Sequence, residues 1–408
     1  MTGADARDDL LRLVLAALRF RDYRRFWIGS FTASLGLWIQ TVALGWLVYD
    51  LTHAASWLGT VSFCGNLPTL VLGLVGGAIA DRASRRLLMM GSLVLMATSA
   101  TLLALLTMLG HIAVWHVIAI AMVSGTATAL YTPAMHSIVP SLVPAEHLFQ
   151  AISLNSVQFN LARTLGPALA GVLVSPIGPQ GCFALNAVGS LWLAVVVARL
   201  RLPPHSADAP APILRALREG LGYVRRHPVI GPAIFLAAVM SLFGFPYIIM
   251  LPAVASGTLG LADAAGLGYL MASVGAGAVV GGLTISAVGN RERSGRITVV
   301  GAVLFGIVLS CFAIVRTLRT TMGLLLLLGT LQTLSISSMM TTIQSAVHDG
   351  MRGRVMSMIT VLFFGFSTLG GLVAGLVGDR VGVPLVLASG GVVTAAVALV
   401  LARSSAFA

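Results

Sequence analysis

Apolar runs of about twenty residues, separated by short polar turns, occupy almost the whole of this 408-residue chain. A helix of that length rises about 30 Å, the thickness of the hydrocarbon core of a bilayer. The pattern predicts spans at 26–49, 57–80, 87–109, 113–136, 149–174 and 181–198, and six more at 229–252, 265–288, 297–315, 321–346, 354–377 and 382–402. The fold class expected is an all-α membrane protein with twelve transmembrane helices in two six-helix bundles. Pro203-Pro204 and Pro210-Ala211-Pro212 end the sixth span and mark the one substantial loop. Residues 1–199 are therefore read as a first bundle with an N-terminal amphipathic segment, 200–228 as a central loop and 229–408 as a second bundle. Short amphipathic helices along the membrane face are expected at 8–20 and 213–223. The apolar stretch from Leu13 to Leu18 is too short for a signal peptide and runs into Arg19 and Arg21.

Composition agrees with that reading, because 57% of residues are hydrophobic and only 9% are charged. A soluble chain of this length would need far more surface charge. The formal charge of +12 raises the question of nucleic acid. Every basic residue is an arginine, however, and the arginines gather in alternate loops. Arg316, Arg319 and Arg380 fall on one side, Arg163 falls inside a span, and all the others fall on the opposite side. Positive charge marks cytoplasmic loops, so both termini are expected in the cytoplasm. A basic nucleic-acid surface needs polar surface around it, which is lacking here. Cys64, Cys182 and Cys311 each sit in an apolar run without ligand spacing, so neither a metal nor a disulfide framework is expected, and no cofactor.

The two halves carry a weak internal repeat. Leu165-Gly166-Pro167-Ala168-Leu169-Ala170-Gly171 matches Leu369-Gly370-Gly371-Leu372-Val373-Ala374-Gly375, and the same offset aligns Ser153 with Ser357. Gly76-Gly77 pairs more loosely with Gly281-Gly282, and Arg86 with Arg296. Repeats with a site between them are general transporter architecture.

Two stretches carry candidate chemistry. The loop Gly77-Ala78-Ile79-Ala80-Asp81-Arg82-Ala83-Ser84-Arg85-Arg86 joins the second and third spans. Gly77 lets a neighbouring helix approach, and Asp81 can accept hydrogen bonds from a helix N-terminus or an arginine. The plainer reading is that Asp81 caps a turn while Arg82, Arg85 and Arg86 set orientation. On the fifth span, Ala162, Gly166 and Ala170 recur every four residues beside Pro167 and Gly171, a stripe suited to close helix packing. Gly277 and Gly281 on the eighth span offer a complementary stripe. Arg163 lies within the fifth span near Asn155, Gln158 and Asn160. Intramembrane arginines usually face a cavity or a partner, and a structural role through backbone carbonyls is the alternative. Polar and aromatic residues elsewhere concentrate in spans 1, 2, 4, 5, 7, 10 and 11. Gln40, Asn66, Tyr131, Asn155, Gln158, Phe245, Gln332 and Phe363 are the candidates for lining a cavity, with packing as the competing role.

The loop at Gly77 to Arg86 resembles the signature loop between helices 2 and 3 of the major facilitator superfamily, with Ser84 where that family usually has glycine. In the family this loop locks the cytoplasmic side closed between helices 2 and 11. Gly166-Pro167-Ala168-Leu169-Ala170-Gly171 resembles the glycine-proline motif of exporters in the family, with Ala170 replacing a glycine. Phe20-Arg21-Asp22-Tyr23-Arg24-Arg25-Phe26-Trp27, Tyr49-Asp50-Leu51-Thr52 and Val143-Pro144-Ala145-Glu146 are similar to the bacterial exporter branch, the transmembrane secretion effector group. The resemblance implies a transporter and not an enzyme, in the bacterial inner membrane, working as a monomer among lipids. It implies proton-driven antiport of a small amphiphile such as a siderophore or drug, although no span contains a carboxylate to carry the proton. A lipid or lysolipid flippase of the same fold and a non-transporting sensor or assembly partner are the alternatives, and nucleic acid is not an expected partner.

Overall fold

Every regular element among the described residues is helical. The computed structural model describes residues 15–80, 84–200, 222–224, 227–261, 263–288, 293–348 and 351–403, without the side chains of 73–80, 288, 352–354, 357 and 360. A 3-10 turn, Leu15–Arg19, leads into α1 (Arg21–Thr52), α2 (Ala55–Ala80), α3 (Arg85–Met108) and α4 (Val114–Ile138). Then comes α5 (Leu148–Arg199), broken where Gly178 takes φ 69 and ψ 173 between Pro176 and Pro179. Glycine tolerates positive φ and proline supplies no amide hydrogen, so the helical ladder fails at that point. The two arms of α5 correspond to the fifth and sixth predicted spans.

The seventh predicted span is interrupted. It consists of α6 (Ile230–Val239), a π turn at Met240–Gly244, α7 (Pro246–Ala253) and a second π turn at Val254–Thr258. Pro246 lacks an amide to donate, and the backbone absorbs the mismatch by widening one turn ahead of it. α8 (Ala264–Val288), α9 (Ser294–Ile314), α10 (Leu318–Ala346), α11 (Arg352–Val381) and α12 (Val383–Leu401) complete the chain. Among the described residues ten helical stretches are long and apolar enough to cross a membrane, and α5, which covers two predicted spans, counts once.

Several boundaries differ from the sequence pattern: the seventh span runs on through its second π turn to Thr258, past the predicted 252, and α11 runs to Val381, past the predicted 377. α1 starts at Arg21, ahead of the predicted 26, since nothing between Arg21 and Phe26 breaks a helix. Tyr23 and Phe26 are fully buried, and the Tyr23 hydroxyl donates to Ala151 O at 2.8 Å, so packing on α5 extends the helix beyond its apolar run. Of the amphipathic helix expected at 8–20, residues up to 14 lie outside the described ones, and 15–19 form a 3-10 turn with Ala17 buried. The helix expected at 213–223 also lies outside them, apart from its last two residues.

Contacts divide the chain into two compact units. The first comprises 1–43, 67–112 and 119–210, and the second comprises 44–66, 113–118 and 211–408. In the first, α1 packs against both arms of α5. Toward the first arm, Trp27 Nε1 donates to Leu154 O at 3.0 Å and Gln158 Nε2 donates to Ser30 O at 3.1 Å. Toward the second arm, a Cβ on Gly36 would stand 2.8 Å from Asn186 Cα, and Asn186 Nδ2 donates to Gln40 Oε1 at 2.9 Å. Without a side chain at Gly36 the backbones close up, and the paired amides satisfy each other in an apolar interior. In the second unit, α8 crosses α10 and α9 crosses α12 by the same use of glycine. Ser310 Oγ adds a bond across α9 and α12 to Ala388 O at 3.1 Å.

Candidate functional site

The basic loop after α2 is a set of helix-end contacts as far as it is described. Gly77 lies near the end of α2, and Asp81 and Arg82 lie outside the described residues. Arg85 and Arg86 open α3. Arg85 Nη1 donates to Ser137 O at 3.3 Å, at the end of α4, and Arg86 Nη2 donates to Leu200 O, at the end of α5. Both guanidinium groups therefore meet carbonyls that a helix C-terminus leaves unpaired, where the macrodipole favours a cation. The two arginines join three helix ends within one unit, which is more than setting membrane orientation requires.

The stripe on the fifth span is a buried seam. Ala162 and Ala170 are fully buried, as are Gly166, Pro167 and Gly171 at the level of the helix face. A Cβ on Gly166 would collide with Trp38 Cβ of α1 and stand 3.4 Å from Leu35 O. The expected complement on the eighth span faces elsewhere. A Cβ on Gly281 would stand 2.6 Å from Thr330 O of α10, and one on Gly277 would stand 3.0 Å from Thr330 N. The partners of both stripes are thus neighbours in their own units, a choice that spacing alone does not encode.

Arg163 is exposed on the first arm of α5, on the line of Ser156 and Asn160 at helical spacing. Asn160 Nδ2 is bonded to Ser156 O at 2.8 Å. Gln158 turns the other way, is 1% exposed and binds Ser30 O, so it does not belong to the surroundings of Arg163. The remaining cavity candidates divide by burial. Gln40 is buried against Asn186, and Phe245 is buried with its ring 5.2 Å from Phe363 and 6.1 Å from Phe305. Asn66 binds Ser62 O on its own helix at 2.9 Å, and Gln332 Oε1 accepts from the Tyr247 hydroxyl at 2.9 Å. Asn66, Tyr131, Asn155, Gln332 and Phe363 are partly buried. Among the described residues no three His, Cys, Asp or Glu side chains are grouped as a metal would require.

One polar residue stands out that the sequence reading passed over. Asp379, just beyond the predicted end of the eleventh span, binds two backbone amides of α2. A signal was available, because Gly371-Leu372-Val373-Ala374-Gly375-Leu376-Val377-Gly378-Asp379-Arg380 repeats much of Gly73-Leu74-Val75-Gly76-Gly77-Ala78-Ile79-Ala80-Asp81-Arg82.

Among the described residues the chain is all-helical, with paired glycine seams and arginine-tied helix ends, and solved structures of membrane transporters share this fold. A bacterial homologue of the human lysosomal transporter Spinster, inward-facing and occupied, superposes with a TM-score of 0.75 at 12% identity, over 94% of this chain and 96% of that one. The nucleoside transporter NupG superposes with a TM-score of 0.69 at 13% identity, over 93% and 98%. The chain belongs to the transmembrane secretion effector family, whose model matches residues 13–406. It is 26% identical to the staphyloferrin A transporter of Staphylococcus aureus over 92% of this chain and 94% of that protein. It is 26% identical to the enterobactin exporter of Salmonella typhimurium over 86% and 85%, and 23% identical to macrolide efflux protein A of Streptococcus pyogenes over 68% and 69%. Relatives and fold alike are those of transporters and not of enzymes.

Proposed function

We propose that the protein is a secondary exporter that moves a small amphiphile, of the siderophore or drug class, out of the bacterial cytoplasm by alternating access and proton antiport. The observation that carries this reading is the near full-length likeness to a siderophore transporter and a siderophore exporter. Four helices, two arms of α5, the interrupted α6–α7 rod and α8 to α12 make twelve spans in two pseudo-symmetric bundles of six, at 1–199 and 229–408, with both termini in the cytoplasm. The protein works as a monomer among membrane lipids.

In this reading Gly77, Asp81, Arg82, Arg85 and Arg86 close the cytoplasmic side, and Arg163 meets the substrate from the face it shares with Ser156 and Asn160. The partly buried Asn66, Tyr131, Asn155, Gln332 and Phe363 contribute to an aromatic, weakly polar cavity suited to a bulky amphiphile. The test is efflux from cells loaded with labelled staphyloferrin A, enterobactin or a macrolide, with and without a protonophore. Expression should raise efflux and the protonophore should abolish the rise; efflux that ignores both sinks the proposal. Asp81→Asn should lower the efflux at least about tenfold with normal membrane levels, since an amide cannot supply the charge-assisted contact.

A further inference from the structure

The turn between α1 and α2 leaves α2 without a cap of its own. His53 takes φ 49 there, and Ala54, with only a methyl group, holds the N-cap position. The first amides of a helix have no partner inside it, and a Ser, Asp or Asn side chain at the N-cap usually takes one. Here the cap arrives from the far end of the chain. Asp379, near the end of α11, accepts from Ala55 N at 2.6 Å through Oδ1 and from Ser56 N at 3.1 Å through Oδ2. Both oxygens of one carboxylate meet the positive end of the α2 dipole.

The backbones are pressed together at the same place. A Cβ on Gly375 would stand 2.5 Å from Ala55 O, and a Cβ on Gly59 would stand 2.8 Å from Leu372 Cα. All of these residues belong to the second unit. The glycine that permits the approach and the aspartate that reads the amides are four residues apart, hence on one face of α11. Gly77 and Asp81 have the same spacing at the opposite end of α2. This recurrence is out of register with the internal duplication, which places Gly166 opposite Gly370, so common descent of the two halves does not account for it.

We propose that Asp379 is a latch at the arginine-poor end of the transporter: it caps α2 while that end is shut and hands the two amides to water when it opens. Gly59 and Gly375 give the latch its close seat. The proposal rests on the alternating-access reading above. The groups released on opening, two amides and a carboxylate, are all easily hydrated, which makes the contact reversible in a way that a buried ion pair is not.

The test is a distance measurement that does not depend on knowing the cargo. Nitroxides are placed at Trp57→Cys on α2 and Val381→Cys on α11, both exposed positions, in protein whose Cys64, Cys182 and Cys311 are replaced by alanine, in lipid nanodiscs. A short separation should dominate in the parent. Asp379→Asn should raise the population of longer separations by about fivefold or more. Ala54→Ser gives α2 its own cap without touching α11, and should shift the distribution the same way by about twofold with no loss of melting temperature. Unchanged distances in Ala54→Ser and Asp379→Asn overturn the latch, and if Asp379→Asn does not accumulate, unchanged distances in Ala54→Ser alone overturn it. Efflux measured in parallel separates the two ideas: shifted distances with no efflux by the parent leave the latch standing without the transport reading, and efflux with unshifted distances does the reverse.

Discussion

On α5, Gly166 gives way to the side chain of Trp38; on α8, Gly277 and Gly281 give way to the main chain of α10 around Leu326 and Thr330. The two stripes look alike in sequence, small residues four apart in an apolar run. They differ in what they make room for. Trp38 Cβ does not move with the χ angles, so either seam yields only when a helix shifts as a body. A Cβ on Gly166 would still stand 3.4 Å from the α1 main chain, whereas one on Gly281 would stand 2.6 Å from Thr330 O and one on Gly277 would run into Leu326 O. A small-residue stripe therefore announces that something comes close, and the neighbour decides how much a larger residue costs.

The largest effect expected from this difference is at α8. Gly277→Leu should cost about 3 kcal/mol or more, by wedging α8 from α10, and should remove most folded protein from the membrane. Detergent-solubilised protein with a parental melting temperature would show that the two backbones are not in contact. Gly166→Ala comes next, at about 1–2 kcal/mol, because Trp38 and α1 must shift by a fraction of a methyl width. The comparison breaks if thermal unfolding ranks Gly166→Ala below Gly277→Ala in stability.

Thr330→Val refines the α8–α10 seam. It removes the hydroxyl that donates to Gly277 O at 3.0 Å and keeps the volume, so the loss should be about 0.6 kcal/mol, the usual size of an interhelical hydrogen bond in a bilayer. A drop of several kcal/mol in a chemical unfolding titration would mean that the hydroxyl, and not the glycine contact, holds the seam. The smallest effect on stability is expected at Arg163, three residues from Gly166 yet on the exposed side of the same helix. Arg163→Ala should leave the melting temperature unchanged while efflux falls, and Arg163→Lys should restore efflux only in part because the planar fork is lost. Failure of the alanine variant to accumulate would assign Arg163 to the packing side of the comparison.

Much of the helical layout was legible in the chain. Span positions follow from apolar run length, because a backbone in hydrocarbon must satisfy its own hydrogen bonds and the helix does so locally. The break at Gly178 was written in Pro176 and Pro179, and the family in the basic loop and the glycine-proline stretch. The π turns around α7 were less legible, since Pro246 announces a disturbance without saying whether the helix will bend, stop or widen.

Side-chain destinations were not legible, and the reason is geometric. Gln158 and Arg163 share one span and one polar character, but five residues of helix turn them to opposite sides, so that Gln158 serves α1 while Arg163 stays exposed. Gln40 looked like a cavity residue until Asn186, nearly one hundred and fifty positions away, took its amide oxygen. Phe245 was a candidate for a substrate wall and is enclosed by Phe305 and Phe363. The sequence by itself determined that the chain is a bundle of membrane helices, where most of them begin and end to within about a turn, the start of α1 and the end of the seventh span excepted, and which positions are small enough for close contact. Those properties depend on interactions within one helix and between helix and lipid. Which helix fills each gap, and which carbonyl or amide each polar group meets, depended on tertiary structure. In Asp379 the same carboxylate would be a solvated helix end in an isolated α11, and it becomes the cap of α2 only because Gly375 lets the two backbones touch.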